Sequence, residues 1–111
     1  MLSVEVTEKG YLHLPADLAQ RYFPNDALVA MVRDGELWLL PTRGAAAGGL
    51  LLKQRNRHGD RSVLIWDVLP PGTLPGWRAA HWDDERGMVR VALREEGAGL
   101  SRSAAGEGVD C

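Results

Sequence analysis

Apolar and polar positions alternate with a period of two along most of the chain, and glycine, proline and acidic turns break the alternation at regular intervals. In "VEVTEKGYLHLP", Val4 and Val6 flank Glu5, the chain turns at Glu8-Lys9-Gly10, and Leu12 and Leu14 resume the pattern. Side chains two apart on a strand share a face, so the stretch predicts a hairpin with Leu12 and Leu14 towards the core. Pro15 suits the first turn of a helix, where its missing N–H needs no partner, and Leu18 and Tyr22 follow at i, i+4 spacing. Pro24 stops that helix after about two turns, because proline disfavours helical geometry in the residue before it. "ALVAMVRDGELWLLP" then alternates on both sides of Asp34-Gly35, a strong two-residue turn signal.

Small residues dominate "TRGAAAGG", which reads as a flexible connector. The β pattern returns over 50–55, turns through "NRHGD", continues over 62–69, breaks at "PPGTLPG", and resumes over 77–82 and 88–93 around "DDERG". Pro70, Pro71 and Pro75 cannot donate to a ladder and so mark a connection between two hairpins. Beyond Arg94 the chain is poor in large apolar residues and cannot offset the entropy of ordering itself, so a disordered tail is expected. The expected organisation is a ββαββ unit over 1–42, a connector over 43–49, a pair of hairpins over 50–94, and an acidic tail over 95–111. "EKGYLHL" and "ERGMVRV" echo each other, as two glycine-turn hairpins do with or without duplication.

A chain of 111 residues holds one domain's worth of core, and 45% hydrophobic with 25% charged residues is a globular composition. The net charge of −2 creates no global field for a polyanion, so electrostatic binding has to be local. Residues 1–42 carry three basic against six acidic side chains, 43–94 nine against five, and 95–111 one against four, for −3, +4 and −3. The single cysteine, Cys111, offers neither a disulfide framework nor a thiol cluster, and a reducing cytoplasm is the expected compartment. Neither a signal-peptide pattern nor an apolar run of about 18 residues occurs, so secretion and membrane insertion are not expected.

The basic middle segment holds the first candidate site. Lys53, Arg55 and Arg57 are spaced by two, which on a strand aligns them on one face, with Arg61 and Trp66 following. Such a face suits backbone phosphates with a stacking ring, an acidic protein partner, or a charged guard against edge pairing. The four tryptophans give the second. Trp38 and Trp66 lie in apolar strand patterns and are expected in the core, whereas Trp77 and Trp82 fit core and interface equally; with Arg78 and Arg86 they combine the residue types enriched in protein-interface hot spots. His13, His58 and His81 show no metal-ligand spacing, "DDERG" lacks the spacing of a calcium loop and reads as a solvated turn, and "GAAAGG" lacks the helix and lysine of a nucleotide loop. No nucleophile with its base and no carboxylate pair is legible, so neither catalysis nor a cofactor or metal is expected.

The order "EKG", Leu12 and Leu14 before Pro15, Leu18, "ND", Val29, "DG", Leu37 and "LP" resembles the swapped-hairpin DNA-binding domain of the AbrB family, with its SpoVT-like regulators and MazE-like antitoxins. The resemblance covers residues 4–41 and implies a small mainly β barrel with one short helix, formed by interleaved hairpins of a homodimer, here followed by two further hairpins. DNA-binding members usually carry an arginine or another polar residue after the turn glycine and a second arginine in the helix; these places hold Tyr11 and Ala19. The second half is similar to small accessory proteins encoded with nickel-iron hydrogenases. The expected function is therefore a non-enzymatic interaction or assembly factor acting through Trp77, Arg78, Trp82 and Arg86. The alternative is an AbrB-like regulator or antitoxin contacting DNA through Lys53, Arg55, Arg57 and Arg61.

Overall fold

Two left-handed turns set the first hairpins. Asp34 and Gly35 both have positive φ, 53° and 75°, the type I′ geometry whose twist matches that of the flanking strands. Gly10, at φ +88°, closes the other turn, where Tyr11 N–H donates to the Thr7 hydroxyl oxygen and Gly10 N–H to the Thr7 carbonyl. In the computed structural model, which describes residues 2–44 and 48–93, these turns join strands of one antiparallel sheet. The acidic tail, Arg94 and the middle of the connector lie outside the described residues.

The elements are β1 (Leu2–Val6), β2 (Tyr11–Leu14), α1 (Ala16–Tyr22), β3 (Ala27–Arg33), β4 (Glu36–Pro41), β5 (Leu50–Leu51), β6 (Lys53–Gln54), β7 (Arg61–Leu64), β8 (Gly76–Asp83) and β9 (Met88–Ala92). They hydrogen-bond in the order β5-β3-β4-β9-β8-β1-β2-β7-β6. Strands of the two halves thus interleave: the β1–β2 hairpin lies between β8 and β7, and the β8–β9 hairpin lies between β1 and β4. The mainly β class with one short helix is as the sequence predicts.

The outermost strands, β5 and β6, are neighbours in sequence. Leu50 and Leu51 pair with Leu28 and Ala27, and two residues later Lys53 and Gln54 pair with Ser62 and Arg61. One continuous segment therefore spans the seam and nearly closes the sheet into a barrel. Leu52 is the bend between the two pairings; its N–H donates to the Asp26 carbonyl at 2.8 Å and its side chain is buried.

Period-two alternation points Val4, Val6, Leu12, Leu14, Leu37, Leu39, Val89 and Val91 into the barrel, all at most 1% exposed. Leu18, Ala19 and Phe23 bring α1 onto the same cluster. Pro15 takes the N-cap position and offers no side-chain cap, so the free Ala16 N–H is satisfied by the Asp60 carboxylate at 2.8 Å. Hydrogen bonds from the Asn56 amide and then from Ala16 hold that carboxyl below its usual pKa range, against a smaller desolvation effect.

Two strand expectations and one core expectation are corrected. The segment 62–69 is strand only to Leu64 and then turns through Trp66, because Val68 and Leu69 N–H groups fold back onto the Ile65 carbonyl. Lys53, Arg55 and Arg57 do not share a strand face: β6 ends at Gln54, and Arg57 lies in the turn. Trp38 and Trp66 both lie outside the core cluster.

If Leu52 holds the seam, Leu52→Ala should destabilise the fold by about 2–5 kcal/mol. The adjacent Leu51→Ala, at a side chain 55% exposed, should cost less than about 0.5 kcal/mol. Urea titration of both variants checks the contrast.

Candidate interaction surface

The residues pointing outward from the barrel define two faces. The first is built on β3, β4, β9 and β8, where Trp38 pairs with Arg90 across the strands and Arg90 in turn with His81. The Arg33, Arg90 and Arg86 guanidiniums lie 5.7, 5.7 and 6.0 Å from the Trp38 ring centre, within cation–π range. Glu36 accepts hydrogen bonds from the Trp38 indole N–H at 3.0 Å and from Arg90 Nε at 2.8 Å. Asp83 accepts from the Arg86 backbone N–H and from the Arg86 and Arg90 guanidiniums at 3.1–3.3 Å. Arg86 and Arg90 are paired with Glu36 and Asp83, and the cluster ties the β3–β4 hairpin to the β8–β9 hairpin.

Burial works to raise the Glu36 pKa, but the hydrogen bonds from Trp38 and Arg90 outweigh it and hold the carboxyl below its usual value. For Asp83 the Arg86 backbone N–H is the largest influence, opposed by burial and reinforced by both guanidiniums, and its pKa is also lowered. Asp83, the last residue of β8, is therefore a buried, paired carboxylate, while the turn that follows is solvated as the sequence predicts, with Asp84, Glu85, Arg86 and Gly87 exposed.

The second face lies across β8, β1, β2 and β7. One outward row runs Trp77, Glu5, His13, Ser62, Lys53 by direct cross-strand pairing. Glu5 and His13 meet at 3.3 Å. The next row holds Tyr11 opposite Leu64, and Trp66 follows Leu64 two residues on. These side chains are large and open: Trp66 is 65% exposed, Trp77 61%, Leu64 41% and Tyr11 40%. Arg55 is brought to Trp77, where the two flank a small cavity with His13 and Asp60.

The structure separates the four residues expected to meet a partner. Trp77 is exposed, whereas Arg78 is 5% exposed and donates to the Leu74 carbonyl from inside the barrel wall. Trp82 is half-buried and stacks on Tyr22 of α1, with ring centres 4.7 Å apart and 16° between planes. Arg86 is exposed, but it belongs to the first face. Of the basic candidates, Lys53, Arg55 and Arg57 are exposed, while Arg61 bridges Asp26 at 2.9 Å and the Gly59 carbonyl. Sequence reasoning missed Tyr11, Leu64 and the outward direction of Trp66. The available signal was the glycine turn beside Tyr11; the unbroken apolar run "VLIW" conceals which residues face out.

Among the described residues, no three His, Cys, Asp or Glu side chains gather closely enough to hold a metal ion. No helix among them is long and apolar enough to cross a membrane.

Both carboxyls of the first face are depressed in the folded state, so the stability they contribute is present above their ordinary values of 4.5 and 3.8 and is lost as pH falls below that range. Glu36→Gln with Asp83→Asn should be less stable than the parent at pH 6, and the gap should narrow towards pH 3. Chemical denaturation at stepped pH reads this directly.

Comparison with known proteins leaves these two faces to carry the functional reading, because no family model, no curated protein and no solved structure matches the chain.

Proposed function

We propose that this chain is a non-enzymatic protein-interaction module of an accessory or assembly type, and that the outer face of β8, β1, β2 and β7 is its docking surface. The observation that carries this reading is the outward display of Tyr11, Leu64, Trp66 and Trp77 from a barrel whose interior is filled with aliphatic side chains. Aromatic side chains left in water contribute nothing to the core, and exposed apolar surface of this kind is the usual mark of an interface.

Charge favours a protein over a nucleic acid. Lys9, Lys53, Arg55 and Arg57 in and around the face are matched by Glu5, Glu8, Asp60 and Asp67, so little counterion release is available on a phosphate backbone. The similarity of the second half to accessory proteins encoded with nickel-iron hydrogenases makes a hydrogenase maturation complex the first partner to test.

Trp77→Ala should leave the fold within about 0.5 kcal/mol of the parent. It should weaken a co-purified partner by about 2 kcal/mol, roughly thirtyfold. Trp82→Ala should instead cost about 2 kcal/mol of folding stability through its lost stack on Tyr22. Titration with random duplex DNA across a salt series is the counter-experiment. Affinity that falls steeply and linearly in log salt would overturn the protein-module reading and make Lys53, Arg55 and Arg57 phosphate contacts of a regulator.

A further inference from the structure

A cleft of about 560 Å³ on the aromatic face lies between the turn of the β1–β2 hairpin and the loop that follows β7. Its walls include Glu8, Lys9 and Gly10 on one side and Trp66, Asp67 and Pro70 on the other. That volume falls within the roughly 300–1,000 Å³ of ordinary ligand pockets.

Both walls are preformed. Gly10 N–H donates to the Thr7 carbonyl at 3.0 Å, and the Gly10 carbonyl accepts from Ile65 N–H at 2.9 Å. A β-carbon at Gly10 would stand 2.3 Å from the Trp66 β-carbon and 2.8 Å from its α-carbon, so the turn and the Trp66 backbone are pressed together with no room for a side chain. Val68 and Leu69 anchor the loop on the core while Trp66 is turned out. The indole is thus fixed at its base and open at its ring.

The charges beside it are uncommitted. Glu5, Asp26, Glu36, Asp60 and Asp83 all accept hydrogen bonds from other side chains or the backbone. The side chains of Glu8 and Asp67, both exposed, make no hydrogen bond or ion pair with any described residue, and neither does Lys9. Two carboxylates against one ammonium give the cleft a net charge of −1. An exposed tryptophan face flanked by free carboxylates attracts a cation, through the ring quadrupole and through charge pairing.

We propose that this cleft receives a lysine or arginine side chain from a basic segment of the partner protein, with the cation over the Trp66 ring and between Glu8 and Asp67. This rests on the module reading above and assigns the partner its chemistry at one end of the aromatic face.

The probe is an N-acetylated hexalysine amide, titrated into the full chain and followed by amide and indole N–H chemical shifts. Shifts should concentrate on residues 8–10 and on the Trp66 indole and should saturate. Glu8→Gln with Asp67→Asn should weaken binding about tenfold, Trp66→Ala should abolish the localised shifts, and Trp77→Ala should change the hexalysine affinity less than twofold. Lys9→Ala should tighten binding two- to threefold by removing a like charge; weakening instead would mean that the cleft takes an anion and would overturn the proposal. Shifts centred on Asp34 or on Asp84 and Glu85, or an affinity unmoved by the double variant, would overturn it as well. The two readings separate in the partner co-purification: if Trp77→Ala loses the partner while Glu8→Gln with Asp67→Asn retains it, the cleft assignment fails and the module stands.

Discussion

The rest of the structure depends on the seam that residues 50–54 close. A sheet with two open edges would present unpaired N–H and C=O groups along β3 and β7, and would leave the aliphatic interior open between them. One short segment reduces both problems by pairing first with the start of β3 and then with the start of β7, with Leu52 turned inward where it changes partner. The closure is local, since only Ala27 and Leu28 of β3 and Arg61 and Ser62 of β7 are paired by it.

Inside and outside then follow different rules. The core cluster is made of Leu, Val, Ile and Ala with Phe23, which bring no polar side-chain atoms into it, while Arg78, also buried, donates to the Leu74 carbonyl. The aromatics with polar handles stay outside or at the rim. Trp38 is held by Glu36 and surrounded by arginines, and Trp82 is held by Tyr22 and Asp84. Trp66 and Trp77 have no such enclosure. That difference separates tryptophans that serve the fold from tryptophans left on display, and it divides each of the two pairs that the sequence groups together. The arginine–carboxylate cluster contributes by joining two hairpins remote in sequence, and it does so at the cost of making the first face electrostatically self-contained.

Local signals carried much of the fold. Asp34-Gly35 and Gly10 announce their turns because few residues accept positive φ, and the alternation on either side assigns Leu12, Leu14, Leu37 and Leu39 to the interior. Pro15 and Pro24 bracket the helix because each constrains its own or its neighbour's backbone. The candidate site was less legible. In "SVLIW" every position after Ser62 is apolar, so the run carries no phase, and only the pairing of β7 with β2 shows that Val63 and Ile65 point in while Leu64 and Trp66 point out. Arg78 reads as a surface residue by type, yet alternation on β8 places it in phase with buried Ala80, and it meets the Leu74 carbonyl.

By itself, then, the sequence determined the class of the fold, the positions of its turns, the identity of most core residues and the segmentation of charge. Each of these depends on residues within a few positions of one another. The tertiary structure alone decided which strands are neighbours, because β1 could pair with β8 or with any other strand of matching alternation, and long-range pairing leaves no local mark. It alone decided that Asp60 caps a helix 44 residues away, and that Gly10 leaves room for the backbone of Trp66. The exposed aromatic face exists because of those distant pairings, which is why no single stretch of the chain announces it.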